Sequence, residues 1–291
     1  MRGIPQPRRP NNPEVPAMPL PSNAELINPG VRRGPFRVAL FDFDGTLSLI
    51  REGWPRVMVG LMLDHLRANG LIREPEAECA AHVEAFVMAL NGHPTVRQME
   101  RFAAEVAARG GTPDEPTVYL QQYIDALMSV VRERWESLES GRARPDEWVV
   151  PNAHGILRIL QSRGVPLYVA SGTDLAHVSR EVELLQLTPH VGGRVNAPKD
   201  NDANFRKRDV IERAVRELGI RGEELLGFGD GVVETQEVKR VGGVAVGVAS
   251  SEQGVRGVNA AKRKSLIAAG ADIIIPDYEH AAELLAWLWG E

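Results

Sequence analysis

The stretch VALFDFDGTLS, Val38 to Ser48, runs from an apolar segment into two acids, Asp42 and Asp44, and then into Gly45-Thr46. A short apolar run rich in β-branched and aromatic residues, without polar alternation, reads as a parallel strand buried on both faces. The acids stand where that strand stops, and Gly45-Thr46 permits a tight turn that leaves both carboxylates at the sheet edge. Two acids at such a place can also cap a helix or close an Asx-turn. The rest of the chain separates these readings.

Comparable apolar runs recur at VPLYVAS (165–171), ELLGFGD (224–230), GVAVGVA (243–249) and ADIIIPD (271–277). Helix-like segments separate them: PNAHGILRILQSRG, DLAHVSREVELL, RDVIERAVRELG and TQEVKRVGG, with EHAAELLAWLW closing the chain. Strands alternating with helices predict an α/β fold with a Rossmann-like parallel sheet, whose sites form beyond the carboxyl ends of the strands. Residues 51–147 interrupt the alternation with a helical period throughout. Ala80, Val83, Val87 and Leu90 share one face, then Met99, Phe102 and Val106, then Leu120, Ile124, Leu127, Val131 and Leu138. Gly110-Gly111 and Gly141 are helix stops. The expected organisation is therefore an extended or disordered arm over 1–35, dense in proline and asparagine, an α/β core from 36–50 and 148–291, and an inserted all-α domain over 51–147.

With 291 residues, 43% hydrophobic and 25% charged, and a formal net charge of -5, the composition is that of an ordinary globular protein. It holds no basic excess to neutralise phosphates, which argues against nucleic-acid binding. One cysteine, Cys79, excludes an internal disulfide and a multi-cysteine zinc site. No apolar run approaches the roughly 20 residues that span a bilayer. With no signal-peptide pattern at the N-terminus, the expectation is a cytoplasmic protein that binds no membrane. Oligomeric state is not legible.

Three further features follow the first motif in order. Ser171 ends the run LYVAS and is followed by Gly172-Thr173; Lys207 opens the helix KRDVIERAVRELG; Asp230 ends LLGFGD, with Glu234 four positions on. A nucleophilic acid, a hydroxyl, a lysine and a metal-binding acid in that order form a set suited to phosphoryl transfer. On DFDGT (42–46), VASGT (169–173), Lys207 and GFGDGVVE (227–234), the chain resembles the haloacid dehalogenase superfamily of hydrolases, the phosphatase branch with an α-helical C1-type cap. The resemblance covers everything after residue 35 and is closest to phosphoglycolate phosphatase and β-phosphoglucomutase relatives. It implies a parallel sheet in the order 5-4-1-2-3, with a mobile cap over the site.

The residue roles then follow. Asp42, Asp230 and the backbone carbonyl of Asp44 hold Mg2+, which screens a phosphate dianion from an attacking carboxylate. Asp42 attacks phosphorus, giving an aspartyl-phosphate, and Asp44 moves protons to the leaving oxygen and from water. Ser171, Gly172 and Lys207 bind the phosphoryl oxygens. Plainer readings stand beside these: Ser171 or Thr173 as a helix N-cap, and Lys207 in a surface salt bridge; Lys199 is the rival for the lysine's role. Glu234 replaces the commoner aspartate of the fourth motif and either reaches the ion through water or orients Lys207.

For specificity the candidates are Arg51 and Arg56, placed to meet an anionic leaving group, and His93 in NGHPTVRQM. Against them, Pro55 opens a helix that Arg51 and Arg56 merely flank, Thr95 and Gln98 fit a T-x-x-Q capping box, and His93 is a solvated loop residue. His154 and His177 read as structural, and Lys262-Arg263-Lys264 as a solvated face. The expected function is a Mg2+-dependent phosphatase of a small phosphorylated metabolite. The alternatives are a phosphomutase on a sugar phosphate and a catalytically idle module that binds a phosphorylated ligand.

Overall fold

A computed structural model describes residues 19–91, 93–200, 202, 204–251 and 254–291. Most of the proline-rich arm (1–18) and Gly92 of the NGHPTVRQM loop lie outside the described residues. The chain enters through a two-residue strand, β1 (Glu25–Leu26), and then forms β2 (Val38–Phe41), the strand that ends at the paired acids. All four residues of β2 are buried, as expected of a strand covered on both faces.

Directly after β2 come four helices, α1 (Trp54–Ala68), α2 (Glu76–Ala89), α3 (Val96–Ala108) and α4 (Pro116–Glu139). Their buried residues follow the period read from the sequence: Val83 and Val87 in α2, Met99, Phe102 and Val106 in α3, and Leu120, Leu127 and Val131 in α4. Gly110 and Gly141 adopt positive φ just beyond α3 and α4, a conformation glycine reaches at no steric cost. The capping box does not form. Thr95 precedes α3 but its side chain makes no cap bond, and the Gln98 amide donates instead to the Val87 carbonyl near the end of α2, 2.9 Å away. That carbonyl also accepts from the Leu90 backbone at 3.3 Å, so the buried amide adds a second, shorter bond that ties α3 to α2.

Alternation then resumes with α5 (Ala153–Ser162), β3 (Leu167–Ala170), α6 (Leu175–Leu184), α7 (Thr188–Val191), β4 (Val195–Asn196), α8 (Lys207–Glu217), β5 (Leu225–Gly229), α9 (Val232–Arg240), β6 (Val244–Val248), α10 (Ala260–Ala269), β7 (Ile273–Ile275) and α11 (Ala281–Trp289). The seven-stranded sheet of the described residues has the order β1-β7-β6-β5-β2-β3-β4. Its inner order matches the one implied by the resemblance. β7 extends the parallel sheet, and β1 adds an antiparallel strand at its edge.

So part of the N-terminal arm is extended and docked on the body. Arg263 is ion-paired to Glu25, the Phe36 ring meets Trp289 edge-on at 5.1 Å, and the Arg33 guanidinium lies over Trp287 at 4.0 Å. The sequence reading assigned no helix to α10. Only Leu266 of its ten residues is buried, so no apolar period marks it.

Register places the site. Phe41 lies level with Val169 of β3 and with Phe228 of β5, so the chain emerges from three adjacent strands at nearly one height. Asp42, Ser171 and Asp230 follow those strands, at the point where the chain turns to opposite sides of β2. Phe41 stacks on Phe228 with centroids 4.6 Å apart, and both meet Tyr278 edge-on. Phe228→Ala should therefore cost about 3–5 kcal/mol, read as a lower urea midpoint with unchanged slope.

Candidate active site

Asp42 comes first after β2, and its backbone N–H donates to the Phe228 carbonyl at 2.9 Å, which ties the turn to β5. Its side chain is buried, so it needs a partner within the protein. Lys207, the first residue of α8, supplies it: Nζ donates to Asp42 Oδ1 at 2.7 Å and to Glu234 Oε2 at 3.0 Å. Lys199, its rival in the sequence, is exposed. The second oxygen of Glu234 accepts from the Gly231 backbone at the start of α9, which anchors this acid against the lysine. Glu234 is thus bonded directly to Lys207.

Burial pushes the Asp42 pKa well up; Lys207 opposes the shift, while Glu234 and Asp230 add to it. Burial alone would lower the pKa of Lys207, but the two acids beside it outweigh that and raise it.

Asp44 faces β3. Its Oδ2 accepts from Thr173 Oγ1 at 2.8 Å, with Ser171 Oγ at 3.4 Å, and Ser171 Oγ accepts from the Thr173 backbone at 3.0 Å. Thr173, two residues after Ser171, is the nearer partner of Asp44. The Asp44 pKa is raised by burial, against the opposing pull of Arg51 and Thr173. Asp174, not Ser171, caps α6, accepting from the Ala176 backbone.

Asp230 closes the group. Asp42, Asp230 and Glu234 each offer an oxygen, and these atoms lie within 4.8 Å of one another. Buried carboxylate oxygens at such spacing are the donors a hard divalent cation takes. The approach is tight. A Cβ on Gly45, whose φ is +74°, would lie 2.2 Å from Asp230 Oδ2, so only glycine fits the turn. Asp230 also meets Lys262, whose Nζ is 2.8 Å from Oδ2. Lys262 is therefore not on a solvated face: it belongs to α10, the helix without an apolar period, which brings it to an acid 32 residues earlier in the chain.

A cavity of about 80 Å³ opens over these groups. Asp42, Asp44, Gly172, Thr173 and Lys207 line its floor, and Tyr123, Leu127 and Met128 of α4 form an apolar wall. Arg51 enters from the side. It is buried, lies 3.8 Å from Asp44 Oδ1, and is ion-paired at 2.7 Å to Glu181 of α6. His93 and His177 line the same cavity, His177 with its ring edge-on to Trp135 at 5.9 Å. Arg56 is not brought in: it is exposed in the first turn of α1 and borders a separate hollow with Glu52 and Arg134. His154 lies 3.4 Å from His190, away from the cavity.

Burial raises the pKa of Glu181 to about 7, with Arg51 opposing. Its folded pKa is above its unfolded one, so the native state holds the proton more tightly and stability falls as pH rises from about 4.5 to 7. Glu181→Gln should flatten that slope, seen by comparing urea midpoints at about pH 5 and about pH 8. Gly45→Ala should displace Asp230 and cost about 1–3 kcal/mol of stability, measured by thermal unfolding.

Comparisons with known proteins bear on the family and the fold. A family model described as haloacid dehalogenase-like hydrolase matches residues 36–242. No curated protein matches the chain. Among solved structures, a hydrolase of the same family from Deinococcus radiodurans, with bound phosphate and sodium, is 19% identical; the match has a TM-score of 0.53 and covers 87% of this chain and 97% of that one. A predicted phosphoglycolate phosphatase from Haemophilus somnus is 15% identical, with a TM-score of 0.56 over 86% of this chain and 97% of its own. A β-phosphoglucomutase from Clostridium difficile is 10% identical, with a TM-score of 0.55 over 84% and 93%. At these identities the structures speak for the shared fold. With the family model spanning most of the chain and the acids converging at the ends of β2 and β5, the protein belongs to the haloacid dehalogenase-like hydrolases.

Proposed function

We propose that the protein is a Mg2+-dependent phosphatase that hydrolyses a small phosphorylated metabolite through an aspartyl-phosphate on Asp42. The observation that carries this reading is the convergence, on one small cavity, of Asp42, Asp44, Thr173 and Lys207, with Asp230 and Glu234 behind them. Asp42 and Asp230, with the backbone carbonyl of Asp44, would hold the ion. When bound, it offsets the repulsion between a carboxylate and a phosphate dianion.

In the first half-reaction an Asp42 oxygen attacks phosphorus, the bond to the leaving oxygen breaks, and Asp44 gives that oxygen its proton. Burial favours the protonated form of Asp44 that this step requires. In the second, Asp44 takes a proton from water, whose oxygen attacks phosphorus and frees Asp42. Lys207, Ser171 and the Gly172 backbone stabilise the phosphoryl oxygens while charge moves across them. Glu234 keeps Lys207 aligned on Asp42.

The helical insert over 51–147 acts as the cap, and α4 supplies the apolar wall that excludes water from the leaving group. A cavity of about 80 Å³ suits a small substrate. Arg51 and His93 line it and are the specificity candidates, whereas Arg56 stands outside. Within the described residues no helix is long and apolar enough to cross a membrane. With Cys79 free, a cytoplasmic setting fits this reading.

The test is phosphate release from a panel of small phosphomonoesters. The wild type should release phosphate, lose activity in chelator and regain it with Mg2+. Asp42→Asn should abolish turnover with an unchanged circular-dichroism spectrum. Isomer formation without phosphate release would make the protein a mutase instead, and tight binding without turnover would make it a binding module.

A further inference from the structure

Each acid around the cation site already has an ammonium partner. Lys207 serves Asp42 and Glu234, and Lys262 serves Asp230. The phosphatase reading gives Lys207 a task and leaves Lys262 with none.

Lys262 is not a loose surface cation. The Asn259 side chain caps α10 by accepting from the backbone of Ala261 and of Lys262 itself, both at 3.1 Å, which fixes where the lysine starts. Its Nζ then donates to Ser250 Oγ at 2.9 Å, and Ser250 donates in turn to the Gly45 carbonyl. The ammonium is therefore joined to Asp230 directly and to the turn after β2 through one hydroxyl. The Lys262 side chain is 21% exposed and that of Asp230 7%, so water screens this pair far less than it screens a surface bridge.

We propose that Lys262 is a positioning residue and resident counter-charge for Asp230 that sets how tightly the site holds a divalent cation. The inference rests on Asp42 and Asp230 being the cation ligands. Three carboxylates meet here beside two ammonium groups. Without a cation, Lys262 keeps Asp230 from repelling its neighbours, so the site is assembled before the ion arrives. A carboxylate has acceptor sites on both oxygens, so Asp230 can keep its ammonium on Oδ2 and still offer an oxygen to the ion. The fixed positive charge then repels the cation, so binding is weaker and more readily reversible than the acids alone would make it.

Calorimetric titration of the chelator-treated protein with MgCl2 and with MnCl2 tests this, alongside melting temperatures with and without the ion. Lys262→Met should lower the Kd for the ion by about tenfold or more, since like charges a few ångströms apart repel strongly even in water. The same variant should melt lower than wild type without the ion and gain more from adding it. Lys262→Arg keeps the charge and should leave the Kd within about threefold of wild type.

Unchanged or weaker binding by Lys262→Met, with the wild type binding normally, overturns the proposal and leaves the phosphatase reading intact. Absence of ion binding in wild type and variant alike overturns both. If Lys262→Met does not fold, Lys262→Gln decides. It removes the charge while keeping a hydrogen-bond donor, and should lower the Kd by about tenfold; an unchanged Kd there overturns the proposal.

Discussion

The site depends on charge balance in a place from which water is largely excluded. Asp42, Asp230 and Glu234 are all buried and close together, an arrangement that would force protons onto them or push them apart if nothing offset it. Lys207 offsets it from within. One buried ammonium bonds two of the acids, and its own pKa rises because they outweigh its burial. Breaking such a buried pair typically costs about 3–5 kcal/mol, because the charge left behind has no partner. The same lysine is thus both a support of the fold and a cation in direct contact with Asp42.

The sheet makes this concentration of charge possible. β2, β3 and β5 are buried runs without a charged side chain, and Phe41, Phe228 and Tyr278 pack the layer beneath the acids. The rigid layer lets three strand ends stand level and present their next residues to one point. Glycine serves the same end where backbones must come close. Gly45 lets Asp230 press against the turn after β2, and Gly229 lies where a Cβ would strike the Glu234 side chain at 2.2 Å.

The helical insert adds a wall without contributing to this charge balance. Its α4 residues and the loop at His93 line the cavity, joined by Trp54 of α1 and Gln98 of α3, while Arg51 sits at the junction, paired to Glu181 of α6. The division of labour is physical. The charged groups stand at strand ends (Asp42, Asp230) or in the first turns of the helices beside them (Lys207 in α8, Glu234 in α9), and the apolar surface that shapes the cavity stands on helices packed through their own core.

By itself, the sequence determined the elements whose patterns are strong. The continuous apolar runs announced β2, β3, β5, β6 and β7, the helical period announced α2, α3 and α4 after the first strand, and Asp42, Asp44, Ser171, Lys207 and Asp230 stood out because each follows a strand or opens a helix. It left β1, β4, α7 and α10 unread, since two-residue strands and a helix with one buried side chain carry no periodic signal. Only the tertiary structure decided the partners: Glu234 and Asp42 on Lys207, Thr173 on Asp44, Lys262 on Asp230, Gln98 on the end of α2, and Arg51 inside the cavity with Arg56 outside it. Those pairings join residues far apart in the chain, and their geometry follows from strand register and helix placement, which no local pattern of residues encodes.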